Sequence, residues 1–264
     1  MVMVVLASAS GSPGVTTSAL GLALTWPRPV LLVEADPTGG SAVLAGYFRG
    51  AAPHTTGLID LAWAHRDGSL AAALPELTMQ VPGTSVSLMP GVRAHGQSRS
   101  LTGLWDPLAA ALKGLDGAGQ DVIVDAGRLG LDGCPEPLVY GADLTLLVMR
   151  SDLVGLSAAR SWADTLRNGF ATTGGAGRLG ILLVGEGRPY RSREVAKVLK
   201  VPVTASLAWQ PEAAAVFAHG AKASRRFDGS ALPRSLKAAR LSVASAIDAD
   251  RANLKVDRLA VRPS

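Results

Sequence analysis

The chain has 264 residues, 48% of them apolar, a net charge of +5 and a single cysteine, Cys134. That length accommodates one large α/β domain or two small ones with a sizeable core, and the composition excludes a disordered chain, a disulfide scaffold and, with no apolar run near ~20 residues, a helical membrane span. The first residues, Met1-Val2-Met3-Val4-Val5-Leu6, lack the basic leader of a secretory signal, and together with the lone thiol they fit a cytoplasmic, reducing location.

The first expected strand, Val2–Ala7, runs directly into Ser10-Gly11-Ser12-Pro13-Gly14-Val15-Thr16-Thr17, and a helix is expected over Val15–Thr25. Strand, glycine loop and helix in that order form a phosphate-binding loop, in which backbone N–H groups and a helix N-terminus point at phosphate oxygens. The nucleotide-binding candidates are therefore Gly11, Ser12, Gly14, Val15, Thr16 and Thr17. Such loops normally add a lysine for the β/γ-phosphate charge and a Ser/Thr hydroxyl for Mg²⁺. Thr16 supplies the hydroxyl, but Val15 stands in the lysine position.

Further apolar runs follow at Val30–Glu34, Val86–Met89, Asp121–Asp125, Leu144–Met149, Leu179–Val184 and Val201–Ala205. Their hydrophobicity is continuous, as in strands buried on both faces. Helices are expected between them at Gly57–Ala64, Ser100–Leu115, Gly155–Asn168, Ser192–Leu199, Glu212–Ala218 and Pro233–Ile247, and the alternation predicts a doubly wound, mostly parallel α/β sheet with helices on both faces, spanning residues 1–247. Residues 248–264 read as a polar, basic tail, a short helical extension passing into disorder. Two carboxylates end strands near the loop. Asp36 follows Val30–Glu34 in an Asp-Pro-Thr-Gly-Gly turn, and Asp125 ends an apolar strand in the Walker B manner. With Thr16 they are the candidate Mg²⁺ ligands, and Asp36 and Asp125 are the candidate catalytic residues.

The order of these segments resembles the MinD/ParA family of deviant Walker A ATPases, in the SIMIBI class of P-loop proteins, over nearly the whole chain to about Ile247. The family loop reads Lys-Gly-Gly-x-Gly-Lys-Thr-Thr and its next strand ends in Asp-x-Asp-Pro, here Glu34-Ala35-Asp36-Pro37. Gly57-Leu58-Ile59-Asp60, Met89-Pro90-Gly91 and Ser157-Ala158-Ala159-Arg160 match further family turns, and the pilus- and pole-associated CpaE-like proteins are a plausible near branch. The resemblance implies ATP and Mg²⁺ binding, an ATP-sandwich homodimer or a heterodimer with a paralogue, a partner protein, slow hydrolysis, and a role in positioning or partitioning DNA, division machinery or secretion complexes, at the nucleoid or a cell pole.

Several departures stand against full chemistry. Ser10 occupies the position of the lysine that crosses the family dimer, and Val15 that of the ordinary loop lysine. Gly185-Glu186 replaces the asparagine that reads adenine, and Ala208-Trp209-Gln210 replaces Pro-x-Asp. A charge-assisted phosphate contact contributes ~1.5–3 kcal/mol, so losing two weakens binding by roughly 10²–10⁴ and costs still more in rate. The expected behaviour is weak nucleotide binding with poor or absent hydrolysis. The alternatives are a pseudo-ATPase adaptor or an active ATPase using Arg28, Arg128 or Arg150 in place of lysine. Structural readings compete at each retained residue: the glycines serve the turn, Thr16 caps the helix, and Asp125 bonds the loop.

Charge is uneven along the chain. Residues 1–177 hold 10 Lys/Arg and 14 Asp/Glu, net −4, whereas 178–264 hold 16 and 7, net +9. Arg191, Arg193 and Lys197 surround one expected helix, and Arg225 and Arg226 lie in a following loop. These five are the candidate contacts for nonspecific, phosphate-driven, salt-dependent DNA binding, set against a plain solvated basic surface. The membrane reading is disfavoured, because Leu254–Val261 is only weakly amphipathic and lacks Phe and Trp. His54, His65, His95 and His219 show no metal-ligand spacing. The five tryptophans are assigned to the core, with Trp209 stacking on a base as the lesser alternative.

Overall fold

In the computed structural model of the chain the backbone is described over residues 1–260 and the side chains through residue 254. Eight strands form one sheet: β1 (Met3–Ser8), β2 (Val30–Glu34), β3 (Met79–Gln80), β4 (Val86–Met89), β5 (Asp121–Arg128), β6 (Leu144–Arg150), β7 (Leu179–Val184) and β8 (Val203–Leu207). Their order is β3-β4-β2-β5-β1-β6-β7-β8, and every neighbouring pair is parallel except β3 with β4. The continuous apolar runs of the sequence are thus strands covered on both sides, as expected. β1 lies between β5 and β6, so the glycine loop leaves the sheet where successive connections diverge, the usual position of a ligand crevice in an open α/β sheet.

Nine α-helices are described. One face of the sheet carries α2 (Leu58–Arg66), α3 (Leu70–Glu76), α4 (Trp105–Lys113), α5 (Glu136–Gly141), α6 (Leu153–Thr172) and α7 (Ser192–Leu199). The other carries α1 (Val15–Thr25), α8 (Pro211–His219) and α9 (Ala231–Ala260). Alternate residues of β1 divide between the two cores: Met3, Val5 and Ala7 face the first, Val4 and Leu6 the second. Trp105 and Phe170 anchor the first core, while Leu20, Leu236 and Val243 join α1 to α9 in the second.

Val30–Glu34, Val86–Met89, Leu179–Val184, Val15–Thr25 and Ser192–Leu199 fall where the periodicity puts them. β8 begins two residues later than expected, because Pro202 has no N–H for the ladder and instead gives its carbonyl to Ile181 N at 2.9 Å. The helix expected over Ser100–Leu115 is a 3₁₀ turn, His95–Leu101, followed by the shorter α4. α3 and α5 have no counterpart in the sequence reading, since each is a short helix in a connection. α9 continues beyond Ile247, and Asp250 and Arg251 tie it to the body through Arg178 (3.3 Å) and Asp143 (2.9 Å). The remainder of the proposed tail, 261–264, and the side chains of 255–260 in the Leu254–Val261 segment lie outside the described residues. Among the described residues no helix is long and apolar enough to cross a membrane.

Candidate nucleotide site

The loop after β1 takes the conformation of a phosphate nest. Gly11, Ser12 and Gly14 all have positive φ, at 77°, 45° and 96°, and α1 starts immediately after Gly14, whose carbonyl accepts from Ser18 N at 2.9 Å. No side chain caps α1, which leaves its first N–H groups directed at the crevice. Ser8, Gly11, Ser12, Gly14, Val15, Thr16 and Thr17 line a cavity of about 590 Å³ together with Asp36, Thr38, Gly127, Arg128 and Leu131. Five of the six nucleotide-binding candidates therefore open onto this cavity through a turn or a polar side chain. Val15 reaches it too, but is buried and packs into the α1–α8–α9 core. The lysine position is thus occupied by a core residue.

The three candidate metal ligands are brought together. Thr16 Oγ1 donates to Asp125 Oδ2 at 2.5 Å, Gly127 N donates to Asp125 Oδ1 at 3.0 Å, and Asp36 stands across the cavity, its Oδ1 accepting from Thr38 N (2.8 Å) and Thr38 Oγ1 (2.7 Å). Asp125 is raised to about 6, chiefly by burial, against the hydrogen bonds from Thr16 and Gly127 and with a further push from the Asp36 charge. Gly127 has φ 61°, and a Cβ there would collide with the Asp36 carboxyl group. Glu34 does not join this set. It lies buried beneath the turn after β2, where Ser41 Oγ and Val43 N (3.0 Å) donate to it, and burial raises it to about 7.

A hydroxyl and two carboxylates at the mouth of an anion nest are hard oxygen donors of the kind Mg²⁺ takes alongside phosphate. The residues fit a phosphate with magnesium.

Beside the nest, on the α1–α8 side, a second cavity of about 240 Å³ is walled by Pro13, Val184, Leu207, Trp209, Ala214 and Ala218. Ser12, Gly14 and Thr17 border both cavities. The site is therefore polar at one end and apolar at the other. Trp209 belongs to this wall and is 38% exposed, which corrects its assignment to the core; Trp63, 51% exposed on α2, is likewise a surface residue. The turn carrying Trp209 is pinned to α9 by Ala208 N donating to Ser235 Oγ and Leu232 N donating to Gln210 Oε1, both 3.0 Å. No hydrophobic period announces Trp209. Ala214, Ala215 and Ala218 of α8 line the same cavity.

Of the three arginines weighed as substitutes for lysine, Arg28 pairs with Asp121 Oδ1 at 3.3 Å at the amino end of β5, the opposite end of the strands from the loop. It is excluded by topology. Arg128 is exposed at the rim of the polar cavity, and Arg150 borders the apolar one.

The basic candidates divide between the two faces. Arg191, Arg193 and Lys197 are exposed around α7, whose Val195 and Leu199 pack into the first core, whereas Arg225 and Arg226 are exposed in the connection before α9, on the second. They flank the β8 edge of the sheet and do not share a helix face. Among the described residues no three His, Cys, Asp or Glu side chains group as a metal site.

The fold defines a P-loop-type α/β protein. Solved structures of that kind superpose along almost the whole chain. They include a ParA family ATPase from Chlorobium tepidum (TM-score 0.71, 17% identity, 91% of this chain and 98% of that one), the cell division ATPase MinD of Pyrococcus furiosus (0.69, 19%, 92% and 98%), and the septum site-determining protein MinD of Pyrococcus horikoshii complexed with Mg-ADP (0.66, 19%, 91% and 93%). No family model matches the sequence, and no curated protein matches it. The chain thus has the MinD/ParA fold.

Proposed function

We propose that this chain is a positioning or partitioning protein of MinD/ParA type, one that binds nucleotide with Mg²⁺ weakly and hydrolyses it poorly or not at all. The observation that carries the reading is the retained set of Thr16 and Asp36 lining the nest cavity, with Asp125 buried behind Thr16, beside a lysine position filled by the buried Val15. The backbone of Gly11–Gly14 and the N-terminus of α1 would bind phosphate, Thr16, Asp36 and Asp125 would hold the metal, and the Pro13–Trp209 cavity would accept an aromatic base. Magnesium, when bound, neutralises phosphate charge. The output would be a change in self-association or in a partner complex, with a homodimer or a paralogue as the candidates. The relatives are a cell division ATPase and a septum site-determining protein, which favours spatial organisation over metabolism.

The adaptor alternative draws on the same Val15 and on Ser10, since neither lysine charge is present. Isothermal titration of the purified chain with ATP and Mg²⁺, alongside a thermal shift series, separates the two. Saturable binding in the high-micromolar to millimolar range, lost in Asp125→Ala, is expected. Absence of heat and of any shift at millimolar ATP leaves the adaptor.

A further inference from the structure

We propose that Arg150, held on the face of Trp209, supplies the phosphate-facing positive charge that the glycine loop itself lacks. The inference rests on the nucleotide reading above and names the residue that would make it work.

Arg150 ends β6, which pairs with β1 in the register Val148↔Ser8, so it lies level with the start of the glycine loop. Alternation along the strand gives the same direction. Leu144, Leu146 and Val148 face the α1–α8–α9 core, and Arg150 follows them toward that side. Its guanidinium carbon stands 4.5 Å from the Trp209 ring centroid, a cation–π arrangement that holds the group without neutralising it. Its Nε is buried with no hydrogen-bond partner, and Arg150 enters none of the ion pairs found among the described residues. Most native buried donors are satisfied, so a shielded guanidinium nitrogen with nothing to donate to, next to an anion nest, points to a ligand acceptor.

The cavities agree. Arg150 borders the apolar cavity with Ser12, Pro13 and Gly14, and a second space of about 190 Å³ with Ser10, Gly11 and Pro13. It thus borders the loop on its apolar side and near Ser10, beside the nest and outside the lining of the cavity of about 590 Å³. Gly185 (φ 76°) allows the pair to form, because a Cβ there would press on Trp209 Cβ at 3.3 Å. The replacements at the lysine, asparagine and Pro-x-Asp positions then belong together: the charge has moved from the loop to β6, and Trp209 both stacks it and walls the base cavity. Arg128 is a poorer candidate, since it is exposed on the Asp36 side of the cavity.

The test uses the full chain with two probes, ATP with Mg²⁺ and inorganic tripolyphosphate with Mg²⁺, and adenosine as the uncharged control. Arg150→Met should weaken both phosphate probes by about 10- to 100-fold and leave adenosine within about twofold. Arg150→Lys should restore part of the loss by keeping the charge, and Trp209→Leu should reproduce part of it by releasing the side chain. An Arg150→Met protein that binds tripolyphosphate like the wild type overturns the proposal, as does an equal loss for adenosine or a loss found only in Arg128→Met. If the wild-type chain itself binds neither probe, the nucleotide reading fails and takes this one with it. Circular dichroism of Arg150→Lys and Trp209→Leu guards against a folding defect in any one variant.

Discussion

Asp125 is the residue at which structure and chemistry are most tightly joined. It is 2% exposed, it holds Thr16 and Gly127, and its carboxyl group is raised to about 6. A raised carboxylate binds more protons folded than unfolded, so its contribution to stability is fully present below its ordinary value and is lost as pH rises through about 6. Glu34, raised to about 7, extends the same slope. The metal-free protein should therefore lose stability between about pH 4 and 7, by an amount on the order of a few kcal/mol. Asp125→Asn keeps the shape and removes the charge. Its melting temperature should exceed that of the wild type at pH 8 and match it near pH 4, while any stabilisation by Mg²⁺ with ATP disappears. Equal destabilisation at both pH values would falsify this account of Asp125. The placing of Asp36, Thr16 and Asp125 beside the loop was open to reading because each lies at the end of a strand or the start of the helix that the loop joins. Arg150 and Trp209 were each weighed singly, but their pairing was not legible, because a stacked pair drawn from two distant strand ends leaves no local pattern.

At the scale of the elements, α9 does most to shape the second face. It packs along α1 and β8 through Leu232, Leu236, Ala239, Val243 and Ile247. The approach is close: a Cβ at Gly21 of α1 would meet Leu236 Cδ1 at 2.8 Å. Leu236→Ala should cost roughly 2–5 kcal/mol, read as a lower denaturation midpoint with unchanged slope. The same helix holds the Ala208–Gln210 turn through Ser235 and the N–H of Leu232, so loosening it should also weaken ligand binding near Trp209. Most strands and helices were legible from period alone. The exceptions have local causes: β8 starts late because of Pro202, α5 is only Glu136–Gly141, and α9 outruns Ile247 because ion pairs to Arg178 and Asp143 recruit its polar turns.

Over the whole molecule, the five candidate DNA contacts flank the β8 edge. Of the basic residues of the C-terminal third, the five candidates lie on and beside α7 (Arg191, Arg193, Lys197) and in the connection before α9 (Arg225, Arg226), on opposite faces of the sheet. If they serve a polyanion, the ligand must wrap that edge. Binding to random-sequence DNA should then fall steeply between 50 and 200 mM salt, and Arg225→Glu/Arg226→Glu and Arg193→Glu/Lys197→Glu should each lower the salt slope by about the number of phosphates released. Unchanged affinity and slope in both variants would leave these residues as a solvated surface.

The order of apolar runs, the glycine loop and the two strand-ending carboxylates determined the fold class and the place of the site, because each depends on residues near one another in sequence. Tertiary structure alone decided that Val15 is buried in the core, that Arg28 lies at the far end of the strands, that Arg150 rests on Trp209, and that the five basic candidates divide between two faces. Those facts depend on strand order and on the face each side chain takes. Neither is written in any short stretch of the chain.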